Sequence, residues 1–415
     1  MATCTEPPAH TIRNMAGRPG RLGPVCAQRS AVRAPLLKAQ QGRWGWCVGH
    51  GLPATRRPTP SSGCRFAGLR VLCRGDQDGR VEVVCLGESL FDMLANDFDV
   101  PREEVKSWTP KAGGATLNVA TAVARLGGSV QLITALGNDE RGDQLFQLLN
   151  DRGVNLEGVL RRAEPTRDVY VERTSAGERT FCGFGLPTTQ YCDCFLEIEK
   201  VPNSGIKGAS VVVMGTLGLA YPTTAASMRK AMEVAHSEGG LVLVDVNWRP
   251  VFFEKPESAR PVVEEFVQQA DIVKLTDEEV EWLFGIDANN VFQDPCKVHD
   301  MLPNAKGVLV TGGPKGAAYC FSAGKVSLSG SIPAYPVEVL DTTGAGDAFT
   351  AGFIHKLLQA GGLDALTGIP EVLDNAVRFA SACGGITTTK PGAVEAQPEA
   401  HQVEELIAAV GTSVK

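Results

Sequence analysis

From Val81 onward the chain alternates short apolar runs with longer stretches of helical spacing, over about 300 residues. The runs at 81–86, 130–135, 209–214, 241–245, 270–274 and 307–311 are too short for helices, and 209–214 and 241–245 are too apolar for strands with one wet face. They therefore predict strands buried on both faces. Helical spacing occupies 116–126, 142–149 and 224–238, and recurs around 372–385 and 401–410. Strands covered on both sides by crossover helices predict one α/β domain, doubly wound on a mostly parallel sheet, with no internal repeat. One stretch, 166–184, breaks the rhythm. Asp168-Val-Tyr-Val-Glu-Arg173 and Arg179-Thr-Phe-Cys-Gly-Phe184 flank Ser175-Ala-Gly-Glu178, which predicts a β-hairpin. A hairpin inserted between βα units can cover a cleft as a lid that excludes water.

Charge divides the chain in two. Residues 1–75 hold one acidic residue, Glu6, against twelve Lys and Arg, which leaves 28 basic and 46 acidic residues for the remainder. An Arg-rich, acid-poor leader broken by Pro, Gly and Ser, with no apolar block of the secretory kind, has the profile of an organellar transit peptide over 1–78. A disordered basic tail is the alternative, and Trp44 and Trp46 are unusual for a transit segment. The folded domain is then 79–411, with a short tail at 412–415. Its acidic balance argues against direct nucleic-acid contact, and no apolar stretch is long enough to span a bilayer. The seven cysteines of the body (Cys85, Cys182, Cys192, Cys194, Cys296, Cys320, Cys383) show no CxxC spacing, so a zinc site is not expected and a reduced compartment is. Cys192 and Cys194 form a CxC that reads as two ordinary thiols near a turn or as a redox pair.

The segment richest in chemistry is a strand, a glycine turn and a helix around Asp341-Thr-Thr-Gly-Ala-Gly-Asp347. Phe349, Phe353 and Leu357 recur every four residues, giving the helix a buried face directly after the turn. Gly344, Ala345 and Gly346 let backbone amides approach a ligand, and the free N–H groups of a helix start form an anion site. A carboxylate at Asp347 would repel a phosphate unless it has work to do. Accepting the proton of an attacking hydroxyl is such work, while the amides stabilise charge on the transferred phosphoryl group. Asp is also a common N-terminal helix residue, which is the plain alternative. No GxxxxGK[ST] phosphate loop occurs.

This motif resembles the C-terminal signature of the PfkB, ribokinase-like carbohydrate kinases. Ala112-Gly-Gly-Ala-Thr-Leu-Asn-Val-Ala120, Arg125-Leu-Gly127 and Gly137-Asn-Asp-Glu-Arg-Gly142 are similar to the N-terminal sugar-binding region of that family, and the resemblance covers about 81–411. Within the family, Trp108-Thr-Pro110, Gly183-Phe-Gly185 and Asp245-Val-Asn-Trp-Arg-Pro250 resemble fructokinases of a cyanobacterial type, an ancestry that would suit a plastid rather than a mitochondrial protein. A cytoplasmic location follows if the leader is no transit peptide.

The resemblance implies a ribokinase-like fold with a small β lid, ATP and Mg²⁺ as cofactors, and a sugar, most simply fructose, as the acceptor. By that analogy Asp92, Gly113, Gly114 and Asn118 bind the sugar. Asp245, Asn247 and Glu279 organise Mg²⁺ and phosphates, although Thr276 replaces the family's usual Asn. ATP falls on Thr311, Gly313, Lys315, Gly316, Gly344 and Gly346, with the adenine near residues 382–385. Asp341, Thr343 and the 388–392 loop would hold a monovalent cation such as K⁺. Hairpin lids also act as dimer clasps, so a homodimer is one arrangement. In plant fructokinases an Arg-Asn-Pro-Ser-Ala-Asp segment follows the lid, where this chain reads Gly185-Leu-Pro-Thr-Thr-Gln190. A guanidinium and a carboxylate are gone, which changes the groups a pocket can satisfy. The alternatives are the same chemistry on ribose, a nucleoside or a keto-deoxy acid, and a catalytically silent fructokinase-like plastid scaffold. The complete anion turn and Asp347 favour an enzyme.

Overall fold

The computed structural model describes residues 81–412 except 176–178 and 202–203, so the leader over 1–78 lies outside the described residues. Thirteen strands occur among them: β1 Val83–Leu86, β2 Leu90–Ala95, β3 Trp108–Gly113, β4 Val130–Gly137, β5 Val159–Arg162, β6 Arg167–Arg173, β7 Arg179–Phe184, β8 Val211–Met214, β9 Leu241–Asp245, β10 Ile272–Thr276, β11 Gly307–Thr311, β12 Ala317–Ala323 and β13 Val326–Ile332. The helices are α1 Ala115–Arg125, α2 Glu140–Asp151, α3 Pro222–Ser237, α4 Ala259–Val267, α5 Asp277–Phe284, α6 Cys296–Asp300, α7 Ala345–Ala360, α8 Leu363–Thr367, α9 Pro370–Thr387 and α10 Ala400–Thr412.

Nine strands form one sheet in the order β13-β12-β11-β10-β9-β8-β1-β4-β5. Pairing is parallel from β11 through β5, and β12 and β13 extend the sheet antiparallel. The all-apolar strands sit at its centre because both faces are covered. Val83 and Cys85 of β1 join the core under α1, α7 and α9, while Val84 and Leu86 join the core under α3 and α4. That is the period of two expected of a pleated strand. Local chemistry fixes the helix starts: Asp139 caps α2 by accepting from the Gly142 amide, and Thr276 with Glu279 forms a reciprocal capping box at α5.

The lid is larger than the hairpin read from sequence. Strands β6 and β7 pair antiparallel as expected, and β2 and β3 add to them in the order β3-β2-β6-β7. Pro110 and Lys111 obscure β3 in the sequence. Proline is tolerated there because β3 is an edge strand.

The thiol expectation needs a correction. Cys296 on α6 and Cys320 on β12 are joined in a disulfide, with Cα atoms 5.2 Å apart and 24 residues of separation. Packing of α6 on β12 brings them together, and no local spacing announces it. Cys192 and Cys194 are separate buried thiols, donating to the carbonyls of Ala135 and Thr188. Burial pushes both upward, Cys194 to about 12, so neither is a reactive thiolate.

Candidate active site

A cavity of about 1200 Å³ runs between the C-terminal ends of β9, β10 and β11 and the inner face of the lid. This is where an open α/β sheet presents its loops to a ligand. At its centre stands the turn that starts α7. Gly344 holds φ at +76°, and a Cβ there would lie 2.6 Å from that of Ala393. Only glycine allows this turn its left-handed backbone and its close packing. Gly344, Ala345, Gly346 and Asp347 all line the cavity.

Asp347 accepts a hydrogen bond from Asn118 Nδ2 at 2.8 Å. Residues 229 apart in sequence are thus joined, linking the motif at the start of α1 to that at the start of α7. Burial first, then the nearby Asp245, push the Asp347 carboxyl up to about 6, while Asn118, Lys274 and Arg249 hold it down. A carboxylate tuned to the edge of neutrality suits a general base. The Oδ1 of Asn118 is buried without a partner and is free to orient a hydroxyl.

On the lid side, Asp92 of β2 lines the cavity and is pushed up to about 7 by burial, against the pull of Arg179 and Arg249. Gly114 and Asn118 line it too, whereas Gly113 lies behind the wall. A Cβ on Gly113 would come within 2.7 Å of the Asp92 carboxylate, so its role is to let that side chain stand where it does. Glu88, unnoticed in the sequence, accepts from the Ala115 amide at 2.8 Å and fixes the start of α1. Arg179 and Arg249 were also missed as site residues. Both line the cavity, one from the lid strand β7 and one from the Asp245-Val-Asn-Trp-Arg-Pro250 loop.

Thr311 at the end of β11 and Gly313, Lys315 and Gly316 after it line the opposite end, with Lys315 Nζ 2.8 Å from Asp277 Oδ2. Ser381, Gly384, Gly385 and Tyr335 complete that wall, while Ala382 and Cys383 face the core. Asn247 lines the cavity and is one of two non-glycine residues with positive φ among the described residues, at 45°. Such strain at the cavity wall is the kind that functional loops store. Asp245 is buried behind the wall, where it pairs with Lys274 Nζ at 3.1 Å and accepts from Thr350 Oγ1 at 3.3 Å. Glu279 has both oxygens occupied, taking the Trp248 amide at 2.6 Å and the Thr276 amide at 2.8 Å. Thr276 therefore does for this glutamate what a capping residue must, despite replacing Asn. Among the described residues no three acidic, His or Cys side chains cluster as a direct metal cage. Asp341 accepts from the amides of Thr343 and Gly392, both at 2.9 Å, and from Arg179 at 2.8 Å. Burial would raise this carboxyl, but those donors hold it below the usual range. Arg179 also donates to the Thr343 hydroxyl.

Comparison with known proteins places the chain in a family. The model of the pfkB family of carbohydrate kinases matches residues 81–400. The chain is 36% identical over 332 residues to fructokinase-1 of Oryza sativa subsp. japonica, covering 79% of this chain and 98% of that one. It resembles the ATP-bound fructokinase of Xylella fastidiosa with 31% identity and a TM-score of 0.69, over 80% of this chain and 99% of the other. A Vibrio cholerae fructokinase variant bound to fructose, ADP and potassium gives 27% identity and a TM-score of 0.66, over 79% and 99%.

Proposed function

The chain belongs to the pfkB family of carbohydrate kinases and is an ATP-dependent sugar kinase, and from that premise we propose that its acceptor is fructose, phosphorylated with Asp347 as general base. The observation that carries the reading is the joining of Asn118 to Asp347 at 2.8 Å beside the Gly344–Gly346 turn. The acceptor hydroxyl gives its proton to Asp347 as its oxygen attacks the γ-phosphorus. The helix-start amides meet the developing phosphoryl charge. Asp92 and Asn118 orient the sugar, and the walls formed by residues 311–316 and 381–385 take the nucleotide.

Asp245, Asn247 and Glu279 fit a hydrated Mg²⁺ held through its waters rather than a direct cage, because one carboxylate is paired with an ammonium and the other with two amides. The ion would supply charge neutralisation of the nucleotide phosphates. Asp341 and Thr343, together with the 388–392 loop, remain the proposed place for a monovalent cation such as K⁺. We also propose that the basic leader over 1–78 directs the domain 79–411 to a plastid, on composition and ancestry.

The test is ATP-dependent phosphorylation by the full chain across fructose, ribose, glucose, adenosine and a keto-deoxy acid, with Asp347→Asn as control. Preferred turnover of fructose, lost by about 10²–10⁴-fold in the variant, is the expected result. Preference for another acceptor replaces the substrate. Unchanged turnover in Asp347→Asn removes the base, and no turnover at all favours the scaffold reading.

A further inference from the structure

We propose that Lys274 is a further catalytic residue, whose ammonium, lying against the Gly346 turn, donates to a non-bridging oxygen of the phosphoryl group in flight. The inference rests on the reading of the α7 turn as the anion hole.

Lys274 sits on β10 directly opposite Asp245 of β9, flanked by the buried apolar Val273 and Leu275. Its side chain is 5% exposed, yet it lines the cavity. A buried ammonium costs several kcal/mol of desolvation, which a single ion pair often fails to repay. A lysine in such a place therefore asks for a use beyond stability. Three observations indicate which use. The ammonium has three donors, and its described hydrogen-bond and ion-pair contacts go to one carboxylate only, Asp245, at 3.1 Å. The carboxyl groups of Asp245, Glu279 and Asp347 lie around it and complement its charge. Finally, a Cβ placed on Gly346 would lie 2.9 Å from its Nζ, so the cation abuts the helix start where a phosphate would be received. The glycine at 346 has a steric purpose here: it leaves the space that the ammonium fills.

The chemistry balances without further reagents. The acceptor oxygen forms a bond to the γ-phosphorus as the bond from that phosphorus to the β–γ bridging oxygen breaks. The electron pair leaves with ADP, and the hydroxyl proton passes to Asp347. Negative charge is carried throughout by the three phosphoryl oxygens, which helix-start amides meet from one side. Lys274 adds a full positive charge to those dipoles. It supplies from a sheet strand what a phosphate-loop lysine supplies in chains that possess that motif, which this one does not.

The experiment compares wild type, Lys274→Met and Lys274→Arg in the full chain, reading kcat and the KM for sugar separately. Met is expected to lower kcat about 10²–10³-fold with sugar KM within about threefold, and Arg to recover about tenfold of the loss. Wild-type kcat in Lys274→Met overturns the assignment, and so does a loss confined to sugar KM. Asp347→Asn is assayed alongside. If it is active while Lys274→Met is not, the base reading falls and the lysine stands. Because removing one partner leaves Asp245 buried and alone, Lys274→Met can fail to fold. A crystal structure of the wild type with sugar, ADP and aluminium fluoride then decides. Nζ within about 3.2 Å of a fluoride supports the role, and a separation beyond about 4 Å overturns it.

Discussion

Replacing Asp347 by Asn should cut turnover by orders of magnitude and at the same time make the folded protein more stable at pH 8. The carboxyl rises from an ordinary value of 3.8 to about 6 in the folded state, burial being the main cause. Its ionised form is thus disfavoured by folding. Below pH 3.8 the group is protonated in both states, and Asn gains nothing. Between 3.8 and about 6 the unfolded chain ionises first, so the wild type loses stability as pH rises, and above 6 the deficit is constant. Two units at about 1.4 kcal/mol each set an upper bound near ~3 kcal/mol. Water in the cavity screens part of it, leaving ~1–2 kcal/mol. With about 2 cal/mol/K of unfolding entropy per residue, a domain of this size should melt about 2 °C higher as Asn. Melting curves of both proteins at pH 4 and pH 8, read beside initial rates, provide the assay. The gap should open between the two pH values while turnover falls by about 10²–10⁴-fold. An Asn variant that melts lower at pH 8, or a gap independent of pH, would refute the argument that this carboxylate is held at a cost to the fold.

Three further outcomes follow from the same geometry. Arg167→Met should destabilise the domain by about 3–5 kcal/mol in urea titration, because it strands the buried carboxylate of Asp193; Arg167→Met with Asp193→Leu should recover most of that. Arg179→Ala, which cuts the lid strand's pair with Asp341, should raise sugar KM about tenfold with little change in melting temperature, as steady-state kinetics would show. Cys296→Ser should cost about 3 kcal/mol of stability under oxidising conditions and nothing in reductant, since the bridge closes a loop of 24 residues.

Most of the fold was legible because its main strands are buried on both faces and announce themselves as unbroken apolar runs. The α7 turn was legible for a related reason: Phe349, Phe353 and Leu357 fix the helix, and the helix fixes where Gly344 and Asp347 must stand. Residues that act from a distance were not. Lys274 reads as one charge inside a strand until the register sets it opposite Asp245. Arg179 reads as a hairpin charge until the lid closes it onto Asp341. Glu88 and β2 were invisible because neither carries a pattern of its own; each is defined by what it bonds to across the chain. The Cys296–Cys320 bridge belongs to the same class.

A buried guanidinium stands beside Gly185-Leu-Pro-Thr-Thr-Gln190, the stretch that lacks the arginine and carboxylate of the plant fructokinase pattern. Gly185 stands where that pattern has arginine, yet Arg167, entering from β6, sends its guanidinium beside the same segment. It bonds Thr188 O at 2.9 Å and pairs with Asp193 at 2.7 and 2.8 Å, among the rings of Phe184, Tyr191, Tyr221 and Phe252. The side chain is fully buried and does not line the cavity. The pair therefore braces the wall from behind, and the surface it presents to a ligand is that of Leu90, Val169, Leu217 and Phe252. On the sugar side the cations that do face the cavity are Arg249 and Arg179, and Arg179 already answers Asp341. A sugar acid would bring its carboxylate to Arg249, whose guanidinium already donates to the Trp248 carbonyl at 2.7 Å, beside Asp92 and Asp347. A neutral polyol asks only for hydrogen bonds, which Asp92 and the unpartnered Asn118 oxygen can supply. This distribution of charge favours a neutral sugar over an acid.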